Sequence, residues 1–179
     1  MTEGELIKGC VDKKQDCQKQ LFDLFAGKMM SACLRYANDE EQAQDFLQEG
    51  FIKIFEYIHQ YKFEGSFEGW MRRVMVSVAA RQLSKQKIRF SNIDLTEATA
   101  PSIDPSVVSK ISEDEIHLMI RCMPDGYRVV FNLNVIEGYS HEEIAAMLGI
   151  KPTTSRGQLL KARKHLQELI LKKNNLVKI

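Results

Sequence analysis

The sequence predicts an all-α fold of two small helical domains joined by a flexible linker. Apolar residues recur every three or four positions along most of the chain, and no stretch shows the alternation of a β-strand. Two Ser-x-x-Glu capping boxes, at Ser112–Glu115 and Ser140–Glu143, mark helix starts. Residues 90–111 contain two prolines and no helical period, which is typical of a linker. The predicted limits are 1–89 for the first domain, 90–111 for the linker and 112–179 for the second domain.

Four helices are predicted in the first domain. A short one carries Leu6, Ile7 and Cys10, and a longer one begins at about Asp16. The apolar side of this second helix is predicted to hold Leu21, Phe22, Leu24, Phe25, Met29, Cys33 and Leu34. The third runs from about 39 to 60, with Asp39 as its N-cap. The fourth runs from Phe67 to about Arg89.

The third helix has an unusual charge. Positions 39 to 49 hold five acids and no bases. Acids in a first turn suit the helix dipole, but that explanation does not cover Asp45 and Glu49. These two share a face with Gln48 and Ile52 at helical spacing. An acidic face carrying an exposed Ile is as typical of a protein-contact surface as of a solvated one.

An aromatic loop precedes a basic helix in the first domain. The loop, 61–69, contains two glycines, Phe63 and Phe67, with Ser66 as a helix cap. Such aromatics usually pack back into a core, but beside a basic helix they can also stack on unpaired bases. Between 71 and 89 there are six Lys or Arg and no acids. The predicted buried side is Trp70, Val74, Val78 and Ala79, and the predicted outward stripe is Arg73, Ser77, Arg81 and Lys85.

The second domain contains a predicted helix-turn-helix. Ser140 and Glu143 cap its first helix, Gly149 supplies the turn, and Pro152 suits the first position of the second helix. A buried stripe is predicted at Ser155, Leu159, Ala162 and Leu166. The outward residues of the second helix are predicted to be Thr153, Thr154, Arg156, Gln158 and Lys161. The second helix of such a motif enters the DNA major groove.

Charge separates this motif from an ordinary helical hairpin with a solvated polar face. Residues 151–173 hold seven Lys or Arg and one acid, Glu168, although the whole chain has a net charge of only +1. A locally basic helix on a nearly neutral chain favours phosphate contacts.

Composition limits the classes of protein to which the chain can belong. No apolar run reaches the length of a membrane span, and the first residues lack a signal-peptide core, so we expect no membrane insertion and a cytoplasmic protein. The four cysteines form no CxxC pair, which favours reduced, buried thiols. No metal or cofactor pattern and no catalytic constellation surround the four histidines, so we expect neither a cofactor nor an enzyme.

At this point the residues resemble a known family. The runs AQDFLQEGFIKIF and FEGSFEGWMRRV, then MPDGYRVVFNLNVIEGYSHEEIAAMLGI and QLLKARKHL, resemble sigma factors of bacterial RNA polymerase, specifically the extracytoplasmic-function (ECF, group 4) class. The resemblance covers residues 5–172. It implies binding to core RNA polymerase through the β′ clamp helices and the β flap, promoter recognition and melting, and regulation by an anti-sigma partner.

The resemblance also implies site residues. It assigns core polymerase binding to Asp45, Leu47, Gln48, Glu49, Phe51 and Ile52. Contact with the downstream (−10) element falls to Phe63, Ser66, Phe67, Arg73, Ser77 and Arg81. Reading of the upstream (−35) element falls to Thr153, Thr154, Arg156, Gln158 and Lys161.

Several residues depart from the family pattern and bear on which promoter is read. Ser77 stands where Asn is frequent, Arg81 where Asp is frequent, and Ser155 replaces an apolar residue. Gly157 lies within the recognition helix, and Lys151 stands where a Ser cap is usual.

Two other classes of protein are compatible with parts of the sequence. A stand-alone helix-turn-helix regulator with an N-terminal helical sensor domain leaves the acidic face and the basic 71–89 helix without a role. A helical adaptor or enzyme would carry its basic faces only as solvated surface.

Overall fold

A computed structural model describes residues 2–85 and 111–176, with side chains as far as Lys173. All regular elements within these ranges are helical, so the all-α prediction is confirmed. The chain divides into two compact units, Met1–Gln82 and Leu83–Ile179. The predicted linker lies outside the described residues except for Ile111, and the predicted domain limits stay a prediction.

The helices of the first unit begin close to the predicted positions. They are α1 (Glu3–Val11), α2 (Gln15–Leu34), α3 (Glu40–Tyr57) with a 3-10 turn at Ile58–Gln60, and α4 (Phe67–Lys85), whose last three residues belong to the second unit. Asp39 caps α3 as predicted, because its carboxylate accepts the N–H of Gln42 at 2.7 Å. Thr2 and Glu5 form a capping box at α1 that was not predicted.

Two predictions about which helix faces are buried were partly wrong. On α2, Leu24 is 57% exposed and Phe22 is 39% exposed, while the buried residues are Cys17, Leu21, Met29, Ala32 and Cys33. On α4, Trp70 and Val74 are only half-buried, and the core takes Phe67, Met71, Met75, Val76, Ala80 and Leu83 along with the predicted Val78 and Ala79. Both helices carry more apolar residues than one face can hold, so periodicity alone fits more than one orientation.

The close approach of α3 and α4 depends on a glycine. A Cβ added at Gly50 would lie 2.0 Å from Met75 Sδ. Met75 is itself buried, so its side chain occupies the space that any residue other than glycine would fill. Gly50 therefore leaves room for the Met75 side chain of α4 against the backbone of α3.

The second unit consists of short helices packed on one long helix. They are α5 (Glu113–Arg121), α6 (Asp125–Phe131) continuing into a π-helical turn at Asn132–Ile136, α7 (His141–Leu148) and α8 (Pro152–Leu176). Both predicted capping boxes, at Ser112 and Ser140, are present. Apolar residues of α6, α7 and α8 meet in a single core, formed by Val129, Val130, Leu133, Ile144, Leu148, Leu159 and Ala162.

Arg128 is a buried charge within the second unit. Its guanidinium donates to the Arg121 carbonyl and to the Asp125 carboxylate, both at 3.0 Å. Burial lowers the pKa of Arg128, and the nearby Asp125 opposes that shift. Because Arg121 is the last residue of α5, these bonds fix the turn between α5 and α6.

The cysteines are free thiols. Cys10, Cys17 and Cys33 are buried, in line with the prediction, whereas Cys122 is exposed. Burial raises the pKa of Cys10 to about 11 and that of Cys33 to about 12, so both stay protonated at neutral pH.

Candidate polymerase and nucleic-acid interfaces

The helix-turn-helix forms through the predicted local signals. The Ser140 hydroxyl accepts the N–H of Glu143, and the Glu143 carboxylate accepts the N–H of Ser140 at 2.8 Å. Gly149 ends α7 in the left-handed region at φ +66°, where glycine carries no Cβ penalty. Pro152 then opens α8 at its first position. The turn therefore presents the N-terminal part of α8 next to α7.

Four of the five predicted upstream-reading residues have accessible side chains. Thr153 and Arg156 are exposed, and Thr154 and Lys161 are half-exposed. Seven bases against one acid over residues 151–173 make the same helix strongly basic. This surface has the charge and the accessible donors that a recognition helix needs.

Gln158 corrects the prediction of the outward face. Its side chain is fully buried, and Gly157 is buried beside it. The buried stripe of α8 runs through Ser155, Gln158, Leu159 and Ala162, which is the i, i+3, i+4, i+7 pattern of a wide helix face. The polarity of Gln158 hid this pattern from an analysis based on apolar spacing.

Two polar contacts that the sequence analysis missed join α7 to α8. His141 Nδ1 lies 2.8 Å from the buried Ser155 hydroxyl. One residue further along each helix, Glu142 Oε1 accepts from Arg156 Nη2 at 2.7 Å. Burial, followed by the positive charge of Arg156, lowers the pKa of His141. The sequence spacing carries no signal for these contacts, because they depend on how the two helices meet.

The acidic face of α3 is present as predicted. Asp45, Gln48 and Glu49 line a shallow depression of about 380 Å³ together with Ile52 and, from α4, Gln82. Ile52 is 53% exposed in spite of its apolar side chain. Exposed apolar surface rimmed by polar groups is typical of a protein-contact site.

Leu47 and Phe51 lie deeper than the other predicted polymerase-binding residues. Leu47 is half-buried, and Phe51 is only 3% exposed. The Phe51 ring packs on Phe22 of α2, with ring centroids 4.6 Å apart. The Phe51 ring therefore closes the α2–α3 core, and its assignment to polymerase binding stays a prediction.

The aromatic loop separates one exposed ring from one core ring. Phe63 is 64% exposed and has φ +59°, the left-handed region that non-glycine residues rarely adopt. Phe67 is 1% exposed, and its ring centroid lies 5.1 Å from Tyr61 and 5.7 Å from Trp70. The expectation that Phe67 is available to a base was wrong, since this ring holds the aromatic cluster together.

Hydrogen bonds hold the loop beside a basic helix face. Ser66 caps α4, because its hydroxyl accepts the N–H of Gly69 at 2.9 Å. The Tyr61 hydroxyl donates to the Gly65 carbonyl at 2.9 Å. On α4, Arg73 and Arg81 are exposed and Ser77 is half-exposed, as predicted for the outward stripe.

Comparison with known proteins places these two units in one family. Sigma-70 region 2 matches residues 21–88, and sigma-70 region 4 matches residues 113–166. The two regions occur in this order and together span about two thirds of the chain. The chain belongs to the sigma-70 family of RNA polymerase sigma factors.

Relatives that match over nearly their whole length identify the class of sigma factor. The chain is 26% identical to the RNA polymerase sigma-H factor of Pseudomonas aeruginosa, over 95% of this chain and 96% of that protein. It is 25% identical to the ECF RNA polymerase sigma-E factor of Haemophilus influenzae, over 95% of this chain and 98% of that protein. Within its family the chain is thus an extracytoplasmic-function sigma factor.

A solved structure shares the fold. The sigma factor RpoE of Bartonella quintana, determined with the anti-sigma factor NepR, matches with a TM-score of 0.50. The match covers 86% of this chain and 96% of that chain at 19% identity.

Membership of this class defines the general activity. The protein is a non-enzymatic initiation factor that binds core RNA polymerase and directs it to promoter DNA. Within residues 2–85 and 111–176, none of the helices combines the length and hydropathy needed to cross a bilayer. The same residues form no cluster of His, Cys, Asp or Glu suited to a metal ion.

Proposed function

We propose that the two units divide the work of promoter recognition. The first unit binds core polymerase and contacts the downstream element, and the second unit reads the upstream element through α8 and binds the β flap. The observation that carries this proposal is the presence of both family regions, each bearing an accessible charged face of the required sign. The site of action is the cytoplasm, where the polymerase works.

The polymerase contact is assigned to the acidic face of α3. Asp45, Gln48, Glu49 and Ile52 meet the β′ clamp helices directly, because they line the accessible depression. Leu47 and Phe51 support this face from the α2–α3 side, since they are partly or fully buried. The unbalanced acids favour a basic partner surface and steer its approach.

The downstream contact is assigned to Phe63 and to the outward stripe of α4. Phe63 combines an exposed ring with a left-handed backbone that costs roughly 1–2 kcal/mol, and such strain concentrates at functional sites. Arg73, Ser77 and Arg81 supply charge and hydrogen bonds along the separated strand. Ser66 acts through its cap at α4, and Phe67 acts as the core support of the loop.

The upstream contact is assigned to the accessible residues of α8. Arg156 and Thr153 lie early in the helix, where base edges come within reach, and Arg pairs well with guanine. Thr154 and Lys161 bind phosphate. Gln158 is not assigned to a base because its side chain is buried in the second unit.

A library experiment tests the upstream assignment. Holoenzyme carrying Arg156→Ala or Lys161→Ala is measured for binding and run-off transcription across randomised upstream elements at two salt concentrations. We expect Arg156→Ala to change which sequences are preferred, through the loss of ~1–3 kcal/mol of base discrimination. We expect Lys161→Ala to weaken all sequences alike and to reduce the salt slope by ~1. A uniform loss on Arg156→Ala would make Arg156 a phosphate anchor instead.

We also propose that an anti-sigma protein controls this sigma factor. The support is the solved Bartonella quintana sigma factor, which was determined in complex with such a protein. The test is competition, in which a protein that co-purifies with the chain is added to core polymerase and run-off transcription is measured. A co-purifying protein that leaves transcription unchanged would count against this role.

A further inference from the structure

Two neighbouring contacts fix the start of α7 against α8, and neither His141 nor Glu142 belongs to the DNA-reading set proposed above. His141 Nδ1 lies 2.8 Å from the Ser155 hydroxyl, and Ser155 has no exposed surface. This partly buried hydrogen bond holds the two helices together at the level where Glu142 meets Arg156. The helix positions that carry Glu142 and Arg156 are therefore held close together, and the two side chains meet between the helices.

The Glu142–Arg156 ion pair lies at the surface. The Arg156 side chain is 47% exposed and the Glu142 side chain is 63% exposed. An ion pair exposed to this degree contributes little to stability and is weakened by salt. The pair therefore matters more for the behaviour of Arg156 than for stability.

The pair limits how Arg156 meets DNA. The contact runs through Nη2, and a guanidinium has five N–H donors in a fixed fork, so other donors stay available for a base edge. A guanidinium that is already oriented loses less conformational entropy when it binds. A carboxylate beside it repels the phosphate backbone, and like-charge contacts of this kind suppress wrong partners.

We infer that Glu142 is a specificity-determining residue for upstream-element recognition, which positions Arg156 for a base and opposes its capture by phosphates. The inference rests on the proposed role of Arg156 as a base-reading residue. The simpler role of Glu142, an acid that suits the dipole of the first turn of α7, predicts no effect on DNA preference.

The test uses holoenzyme assembled with the full chain and the randomised upstream library. Glu142→Gln keeps the size of the side chain but removes its charge. We expect binding to non-preferred sequences to rise about threefold, and the ratio of preferred to non-preferred binding to fall by about fivefold or more. An unchanged ratio would overturn the inference.

Glu168→Gln is the matched control for net charge. Glu168 is also exposed and lies on α8, twelve residues beyond Arg156 and therefore roughly 18 Å further along the helix. This variant changes the total charge by the same amount, so we expect it to leave the ratio unchanged. If Glu142→Gln and Glu168→Gln lower the ratio equally, the cause is the net charge of the protein, and the inference is overturned.

The Arg156→Ala background separates the inference from the proposed function. In that background Glu142→Gln should leave the ratio unchanged, because the guanidinium that it positions is gone. A continued fall would show that Glu142 acts without Arg156. If Arg156→Ala shifts the preference and Glu142→Gln does not, only the inference about Glu142 fails. If Arg156→Ala has no effect on preference, the proposed role of Arg156 fails, and the inference fails with it.

Thermal unfolding of each variant checks the fold, and Glu142→Asp provides a second variant. It keeps the charge and shortens the reach, so we expect non-preferred binding to stay near the wild-type level. A rise in non-preferred binding as large as that of Glu142→Gln would contradict the repulsion part of the inference.

Discussion

Phe63, in the aromatic loop, and Phe67, the first residue of α4, are identical side chains with different roles. The ring of Phe63 is exposed on a left-handed backbone, whereas that of Phe67 packs against Tyr61 and Trp70 in the core. The first ring can stack on an unpaired base, and the second keeps the loop in place. Burial separates the two roles, which residue type alone does not.

Phe63→Ala should lower open-complex formation with little change in thermal stability. Stacking a base on an aromatic ring contributes ~1–3 kcal/mol, so we expect a loss of about fivefold or more. Phe67→Ala should instead destabilise the first unit by about 3–5 kcal/mol, because it removes a fully buried ring. Permanganate reactivity of the promoter and thermal melting measure the two effects. A large fall in melting temperature for Phe63→Ala would contradict this assignment.

Single residues also show which features can be predicted from the sequence and which cannot. The caps at Asp39, Ser112 and Ser140 were predicted correctly, because a cap depends on residues only three positions apart. Gln158 was assigned to the wrong face, since its burial depends on which side of α8 meets the rest of the unit. The Glu142–Arg156 pair was missed for the same reason, as it depends on how two helices meet.

At the scale of elements, Gly50 sets the packing of α3 on α4. Gly50→Ala should lower the free energy of unfolding by about 1–3 kcal/mol, because the added methyl group would overlap the buried Met75 side chain. Gly27→Ala is the control, since Gly27 lies within α2 and a Cβ there meets no atom within 4 Å. That change should stabilise by about 0.5–1 kcal/mol through helix propensity. Denaturant unfolding measures the free energy of unfolding of both variants. Equal changes for Gly50→Ala and Gly27→Ala would argue against the close contact between α3 and α4.

His141, which lies between α7 and α8, should make stability depend on pH. Burial and Arg156 lower the pKa of His141 in the folded protein below its ordinary value of 6.5. As pH falls through 6.5, the unfolded chain binds a proton that the folded chain does not, so stability decreases until the folded pKa is passed. Glu142 opposes this shift and Arg163 adds to it.

Thermal melting across this pH range measures the effect, with His141→Gln as the comparison. The variant has no titrating ring at this position and should lose the corresponding part of the pH dependence. An identical pH profile for the variant and the wild type would show that other groups are responsible.

Helix existence was easier to predict than helix orientation. The described helices begin within a few residues of the predicted positions, because caps, glycines and prolines act locally. The buried faces of α2 and α4 were partly wrong, since both helices carry apolar residues on more than one side. The acidic face of α3 was predicted well because one face there is strongly polar and the other apolar.

At the scale of the whole molecule, polymerase binding and promoter reading should be separable. Asp45→Lys with Glu49→Lys removes the acidic face of α3 and should lower affinity for core polymerase by tenfold or more, since partly desolvated charges cost ~2–5 kcal/mol when unpaired. The upstream sequence preference should stay as in the wild type, because these residues lie in a different unit from α8. Asp12→Lys with Asp16→Lys is the control, with the same change in charge outside α3.

Arg156→Ala should show the reverse pattern, with normal polymerase affinity and altered sequence preference. Core affinity is measured by competition with a labelled sigma factor, and preference by the upstream library. Changes at sites without shared contacts usually combine within ~0.3–0.5 kcal/mol. A shifted preference in the Asp45→Lys, Glu49→Lys protein would show that the two activities are coupled.

The sorting of charge along the chain also has a consequence for how promoters are located in a genome. The bases of α4 and α8 are offset by acids elsewhere in the chain, including those of α3, so the whole chain has a net charge of only +1. Non-specific DNA affinity grows with the number of phosphates neutralised, so a nearly neutral chain is held only weakly by bulk chromosome. We expect the unbound protein to stay in free solution, where it can collide with polymerase, and the scanning of DNA to begin only once the two have assembled.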